Sequence, residues 1–567
     1  MKSLSWLPLE RIIDGGREAL LILCSALGVR VGTHSPADPP LRAELFSSEQ
    51  MVQHGKALAA AHRLARSPSP DQLLARLESN EHALVAASRQ LTVAITHNRQ
   101  VTPAGEWLLD NFYLIEEQIR TARRHLPRGY SVGLPRLESG ASAGQPRVYD
   151  LMLEIVSHGD GRVDAEELRR FIAAYQSVSA LKLGELWAVP IMLRLALVES
   201  LRRIGVRIAD ACTERELADT WADRIIDAAD NDPKSLILVV SDMARSNPPM
   251  TCTFVAGLVR RFQHRGPALA LPLSWIEQQL AERGLTSEQS IQIENQQQAA
   301  DQVSISNGIG SLRLLGALDW RAFVEAMSVV DRALSRDPCG AYPGMDFATR
   351  DRYRHVVEAI AKKSACSEGE VADKAVALAS ASAAAGGAEG CADHVGFYLI
   401  GKGRPALERA AAFRPSSRDA LQTWAARRQL ALYVGAIALL SIAMTVGLLA
   451  TLSAQLGVEA ASTWWLLPPA ALLAMLGASR LGAALTNWLV TLMATPHPLP
   501  RMDFSAGVPP LWRTLVVVPT MLGRVDCVDE LLEALEVRFL ANRDDSLHFG
   551  LLTDLLDAPT EIGRAHV

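Results

Sequence analysis

Over residues 44–400 apolar positions recur every three or four residues, the spacing of helices that bury one stripe. Residues 44–97 open the pattern, with Ser47 and Ser48 as N-cap candidates. Thr102 as cap and Pro103 at the first helical position predict a helix through Arg124. Trp107, Leu108, Phe112, Ile115 and Ile119 make one of its faces. The pattern stays helical over residues 183–363, with Leu193, Leu195, Leu197, Leu201 and Ile204 among its apolar positions. No period of 20–50 residues repeats, so no solenoid is expected. Residues 374–392, rich in alanine, serine and glycine, predict a loose linker or a frayed helix. Upstream, residues 19–29 are apolar, but Glu10, Asp14 and Glu18 stand where a signal peptide would be basic. A peripheral helix is expected there.

Two longer apolar segments interrupt this amphipathic rhythm. Residues 430–452 carry no formal charge over 23 positions, long enough to cross a bilayer's hydrocarbon core as a helix. Residues 464–493 open on Trp464 and Trp465, whose rings suit a membrane–water interface. Pro468 and Pro469 interrupt the start of this second segment, and Arg480 stands in its middle. Either Arg480 faces other helices, or the segment divides into a short span and an interfacial helix around Asn487 and Trp488. The preceding residues 401–429 hold Lys402, Arg404, Arg409, Arg414, Arg418, Arg427 and Arg428 against Glu408 and Asp419. The connecting residues 453–463 hold only Glu459. The positive-inside rule then puts the helical region in the cytoplasm and returns the following chain to that side. The basic flank and the bare turn argue against a buried hairpin of a soluble protein.

After the hairpin the period changes. Pro496, Pro498 and Pro500 punctuate the exit. Residues 513–519 predict a fully buried parallel strand, 526–540 an amphipathic helix, and 547–553 a second buried strand. Such a βαβ unit carries Asp554 and Asp557 just past its second strand, at the edge where open α/β sheets bind ligands. Carboxylates there suit a nucleotide base or ribose, or a magnesium ion; they equally suit capping the next helix.

Composition narrows the choice. A chain of 567 residues is expected to hold two to four domains, and its net charge of −5, with dispersed basic residues, gives no reason to expect a nucleic-acid binder. The seven cysteines form no C-x-x-C pair, so neither a zinc site nor a disulfide framework is expected. Residues 157–167 imitate the end of a calcium loop, but Val156 and His158 occupy positions that need oxygen ligands. A helix capped by Asp164, with Glu167 closing a capping box, is the better reading. Gly308-Ile309-Gly310 follows no strand and Gly401-Lys402-Gly403 lacks the rest of a P-loop; both are expected to be turns. Glu116 and Glu117 belong to a solvated helix face. The helical region shows no catalytic constellation.

Several stretches resemble the cyclic β-1,2-glucan synthase family. They are GEWLLDNFYLIEEQIR (105–120), LGELWAVPIMLRLALVE (183–199), SLRLLGALDW (311–320), MDFATRDRYRHVVE (345–358) and HVGFYLIGKGR (394–404). Past the apolar segments come LPRMDF (499–504), RTLVVVPT (513–520) and ANRDDSLHFGLLTDLLDAP (541–559). The resemblance spans residues 44–561. It implies an inner-membrane, multi-pass enzyme of Gram-negative bacteria that polymerises glucose from UDP-glucose and cyclises the chain for the periplasm. In the implied nucleotide-sugar fold an early aspartate contacts the nucleotide, a role that falls to Asp554 with Asp557 nearby. The resemblance places the metal-binding Asp-x-Asp for Mg²⁺ or Mn²⁺, the catalytic base, later spans and a phosphorylase-like domain beyond Pro559. No catalytic residue is therefore expected within these 567.

The organisation expected is mainly α. A tail (1–43) precedes a cytoplasmic all-α domain (44–400) and a basic juxtamembrane segment (401–429). A transmembrane hairpin (430–493) leads to the start of an α/β glycosyltransferase domain (494–561). Residues 562–567, IGRAHV, match the translation of a sequencing adapter and are expected to be foreign to the fold. Membrane lipids, and UDP-glucose for the full-length enzyme, are the expected partners. A non-enzymatic membrane scaffold or sensor with a helical cytoplasmic domain is the alternative.

Overall fold

The computed structural model describes residues 41–65, 70–127, 129–140, 142–263, 265, 267–385, 391–456, 467–493, 498–522 and 527–555. Helices hold 72% of the described residues, against two strands, as the periodicity predicted. The peripheral helix of residues 19–29, the Trp464–Trp465 pair, Glu459, Asp557 and the tail at 562–567 lie outside the described residues. The chain divides into two compact units, Met1–Ser328 and Val329–Val567, a boundary inside the range expected to be one helical domain.

The first unit begins with α1 (Ser48–Ala61), whose capping box pairs the Ser47 hydroxyl and the Gln50 side chain with each other's backbone amides. Helix α2 (Leu73–Thr96) follows. Thr102 caps α3 (Pro103–Asp110) with Pro103 in its first turn. The long helix expected here breaks at Asn111, and α4 (Phe112–His125) restarts the pattern. The break has a tertiary cause: the Asn111 side chain donates to the Trp107 carbonyl at 2.9 Å and accepts from Arg313 at 2.6 Å. Leu108, Ile115 and Ile119 are buried, whereas Trp107, expected on the same face, is 42% exposed. Glu116 and Glu117 lie on the solvated face.

Helix α5 (Arg147–His158) leads through a glycine turn into α6 (Ala165–Gln176). Asp164 caps α6, accepting from the amides of Glu166 and Glu167 at 2.9 and 3.2 Å. The capping box expected from Glu167 does not form; its carboxylate accepts from the Ser48 hydroxyl at 3.1 Å. Gly161 sits at φ +79, and a Cβ there would stand 3.3 Å from the backbone of Gly308 and Ser304.

The axis of the unit is α7 (Leu183–Asn231), whose 49 residues extend about 74 Å. Its first half lies in one apolar core with α2 and α5, and its second half in another with α9 (below). Around it pack α8 (Leu236–Ser246), α9 (Cys252–Phe262), α10 (Ala270–Ala281), α11 (Ser287–Ala317) and α12 (Trp320–Met327). Gly308-Ile309-Gly310, expected to be a turn, lies inside α11. The first of its glycines serves packing: a Cβ on Gly308 would come within 2.9 Å of the Leu201 side chain, whereas one on Gly310 would meet open space.

Two buried ionic clusters pin α7. Arg147 forks onto Glu185 at 2.6 and 2.7 Å, with side chains 3% and 0% exposed. Glu199, 1% exposed, receives Arg76, Asn80, Arg202 and Arg203 at 2.8–3.1 Å. Burial alone would raise the Glu199 carboxyl, but these guanidinium partners hold it at about 2.

In the second unit, α13 (Val329–Leu334), α14 (Phe347–Ala361), α15 (Glu368–Ala384), α16 (Val395–Leu399) and α17 (Arg404–Ala410) enclose a separate core. Of the loose linker or frayed helix expected over residues 374–392, the helical alternative holds for residues 374–384, which belong to α15. Its alanines are the reason: Ala375 and Ala379 are fully buried and let neighbouring helices approach closely. Residues 386–390 lie outside the described set. Gly401-Lys402-Gly403 forms the expected turn.

Helix α18 (Ser417–Arg427) leads into α19 (Gln429–Leu456), and α20 (Leu467–Met493) returns against it. The windows Gln429–Thr451 and Pro468–Leu492 are long and apolar enough to cross a membrane, and only 11% of each is buried. The seam between them is small and polar. Gly482 faces Ser441 so closely that a Cβ would stand 2.8 Å from its hydroxyl. The hydroxyls of Ser441, Thr445 and Thr486, all buried, return to carbonyls four residues back in their own helices. Leucines such as Leu439, Leu472, Leu473 and Leu476 face outward. Pro468 and Pro469 fall in the first turn of α20, where a missing amide costs nothing. The helix runs unbroken past Asn487, so the segment does not divide, and Arg480 projects from its exposed face.

Candidate functional site

The region after the hairpin is built from two anchored pieces. Residues 498–503 run back across α14. Arg352 donates to the Pro498 carbonyl at 2.7 Å, and the Arg501 amide donates to the Thr349 hydroxyl at 3.0 Å. The amides of Asp346 and Asp503 bond the carbonyls of Arg501 and Gly344 at 2.9 and 2.8 Å. Two stretches singled out in the sequence, 345–358 and 499–504, therefore meet. At the other end of the hairpin, the Arg414 amide bonds the Lys363 carbonyl at 2.9 Å, and Lys363 pairs with Asp419 at 2.7 Å. The chain leaves and re-enters at the same helical body.

Beyond residue 503 come β1 (Thr514–Leu522), α21 (Cys527–Ala541) and β2 (Leu547–Leu555). The strands are parallel and in register from Thr514 opposite Leu547 to Leu522 opposite Leu555, the βαβ unit expected. Asp544 secures its lower end. Its carboxylate accepts from the amides of Val508 and Ser546, each at 2.8 Å, and these bonds hold its carboxyl below the usual range. Phe539 of α21 meets Phe549 of β2 edge-on at 6.3 Å.

Both strands were expected to be fully buried, and neither is: β1 alternates between exposed and half-buried residues, and residues 547–554 of β2 are likewise exposed or half-buried. A parallel sheet is buried when helices cover both faces and strands flank it. Among the described residues this sheet has two strands and one helix. Valine-rich runs report the environment that a strand suits, and here that environment is only partly supplied.

The strand ends place the candidate residues. β2 continues to Leu555, so Asp554 stands inside the strand, opposite Met521 and exposed near its carboxyl end. Asp557 lies outside the described residues. An exposed carboxylate at this edge can accept hydrogen bonds from a ribose or a base, but one carboxylate cannot divide acid and base roles. Among the described residues no trio of histidine, cysteine or carboxylate ligands gathers at this edge. Among the described residues, then, this edge holds no donor set for the Mg²⁺ or Mn²⁺ expected for the full-length enzyme.

Sequence reasoning missed a buried cluster beneath the re-entry point. Asp337 accepts from His394 at 2.7 Å and from the amides of Val395 and Tyr342 at 3.0 and 3.2 Å. Burial works against ionisation, yet these donors keep the Asp337 carboxyl below its ordinary value. Arg354, with no exposed side-chain surface, holds Asp331 at 2.7 Å, and the Tyr342 hydroxyl donates to the same oxygen at 2.7 Å. The only local hint was charge within an otherwise apolar helix face around 345–358.

No protein-family model matches the chain. Over 525 residues, 92% of its length, it is 32% identical to the cyclic beta-(1,2)-glucan synthase NdvB of Rhizobium meliloti (strain 1021). It spans 18% of that relative's length. Identity over so much of the chain is not the mark of one shared module. The chain belongs to the cyclic β-(1,2)-glucan synthase family.

Proposed function

We propose that the chain is the membrane-anchored portion of a glycosyltransferase that takes glucose from UDP-glucose and builds cyclic β-1,2-glucan for the periplasm. The observation that carries this reading is the parallel βαβ unit directly after an apolar hairpin, with Asp554 at its carboxyl edge. Open α/β sheets bind their ligands at that edge, and the similar protein is by name a glucan synthase. In the full-length enzyme Asp554, with Asp557, contacts the nucleotide. The described residues offer part of donor binding, and among them we assign neither a base for the acceptor hydroxyl nor a charge clamp for the leaving diphosphate. Membranes carrying the full-length protein should transfer glucose from UDP-glucose into glucan, and membranes carrying only residues 1–567 should transfer none. Glucan made by the 567 residues would contradict the reading.

The hairpin is proposed to cross the inner membrane, its leucine faces against lipid and its small polar seam between the helices. Outward leucines and a polar seam invert the arrangement of a soluble core, and the tethers at Lys363 and Thr349 supply the common side that a hairpin requires. The basic residues 401–429 set that side as cytoplasmic. Reporter fusions after Ser462 should read periplasmic and fusions after Pro510 cytoplasmic. A cytoplasmic signal at both points would mean that the hairpin does not cross.

A further inference from the structure

We propose that His54, Glu154 and His158, in the first unit, form a binding site for one divalent transition-metal ion of the zinc class. His54 comes from α1; Glu154 and His158 are one turn apart on α5 and face the same way. His54 Nε2 lies 2.8 Å and His158 Nε2 3.3 Å from the same Glu154 oxygen, and all three ligand atoms fall within 4.8 Å of one another. Ligands 2.0–2.1 Å from a tetrahedral ion stand about 3.3 Å apart, so sub-ångström to ångström side-chain shifts admit the ion. Two histidines and one carboxylate are an established zinc donor set, and they leave a fourth position for water.

The tautomers point the same way. His158 Nδ1 lies 2.7 Å from the Glu44 carbonyl, which can only accept, so Nδ1 carries the hydrogen. Nε2 of a neutral ring then directs its lone pair at the Glu154 oxygen. A metal cation between that nitrogen and the carboxylate oxygen would take a lone pair from each. Outer-shell hydrogen bonding of this kind is how metal-ligating histidines are oriented. Phe46 stacks on the His158 ring at 3.8 Å and meets His54 edge-on at 5.3 Å, which fixes both rings. The ligands keep 10–30% of their side-chain surface exposed, leaving a path for entry. The cluster also joins three separate pieces of chain, since the amides of Ala43 and Phe46 bond the carbonyls of Ser157 and His158. An ion here would clamp residues 43–46 and α1 onto α5.

The test uses the full 567-residue chain, purified in detergent without a polyhistidine tag. After dialysis against zinc and then buffer, elemental analysis should find about one zinc per wild-type chain. His54→Gln and Glu154→Gln, which keep size and polarity, should each weaken zinc retention at least about ten-fold. Cobalt(II) added to wild-type protein should give the strong visible absorption of a four-coordinate site, a readout that needs no variant to fold. An octahedral aqueous cobalt spectrum with no retained zinc would overturn the proposal and leave a proton-bridged ion-pair cluster. Variants that hold zinc as tightly as wild type would overturn it equally.

Discussion

Replacing Glu185 with alanine is expected to destabilise the first unit by about 3–5 kcal/mol. Arg147 is committed on every side. Its guanidinium donates to both Glu185 oxygens, to the Ser179 hydroxyl at 2.9 Å and to the Ala180 carbonyl at 2.8 Å. Burial by itself would lower its affinity for a proton, yet Glu185 more than compensates and the guanidinium is held above its usual value. Alanine removes that compensation and leaves a buried cation without its counter-charge. It also frees the Lys182 amide, which donates to Glu185 at 2.9 Å and begins the long helix. The net worth of the pair is another matter, since desolvation consumes most of its Coulombic gain. The double change Arg147→Met with Glu185→Leu should therefore cost far less than either single change. Denaturant unfolding of wild type, Glu185→Ala, Arg147→Met, Glu185→Leu and the double variant checks both statements. A Glu185→Ala loss below about 1 kcal/mol would show that water reaches the pair.

What the sequence disclosed and what it withheld divide along contact range. The Ser47 cap, the Asp164 cap and the strand–helix–strand order past residue 513 are decided within a few residues, and those expectations held. The break at Asn111 depends on Arg313, 202 positions away, so no window around residue 111 contains its cause. Gly308 sits in a helix because Leu201 and Gly161 come against it, whereas local propensity had favoured a turn. Likewise the alanines of α15 looked loose until the core around Tyr353 and Leu399 explained why small side chains suit that face. At the candidate site, the strand pattern put Asp554 just past the second strand, whereas β2 runs on to Leu555 and takes it in near its carboxyl end. The cover over that edge is a tertiary property and could not be read from a valine run. The one-turn spacing of Glu154 and His158 was visible, but His54, a hundred residues earlier, was not connected to it by any pattern.

The claim that the βαβ unit begins a nucleotide-sugar site rests most directly on Asp554. Its carboxylate stands on β2 opposite Met521, where a nucleotide laid across the strand ends would present a ribose hydroxyl or a base amide. Replacing it with alanine removes a charge-assisted acceptor and leaves the strand pairing intact, because the ladder uses only backbone groups. A lost hydrogen bond to a charged group costs about 1.5–3 kcal/mol, or roughly ten- to hundred-fold in affinity. The deciding measurement is UDP-glucose affinity by calorimetry on the full-length protein in nanodiscs, wild type against Asp554→Ala, with circular dichroism to establish folding. A ten- to hundred-fold weaker dissociation constant in a folded variant is the predicted result, and unchanged affinity in that folded variant would contradict it.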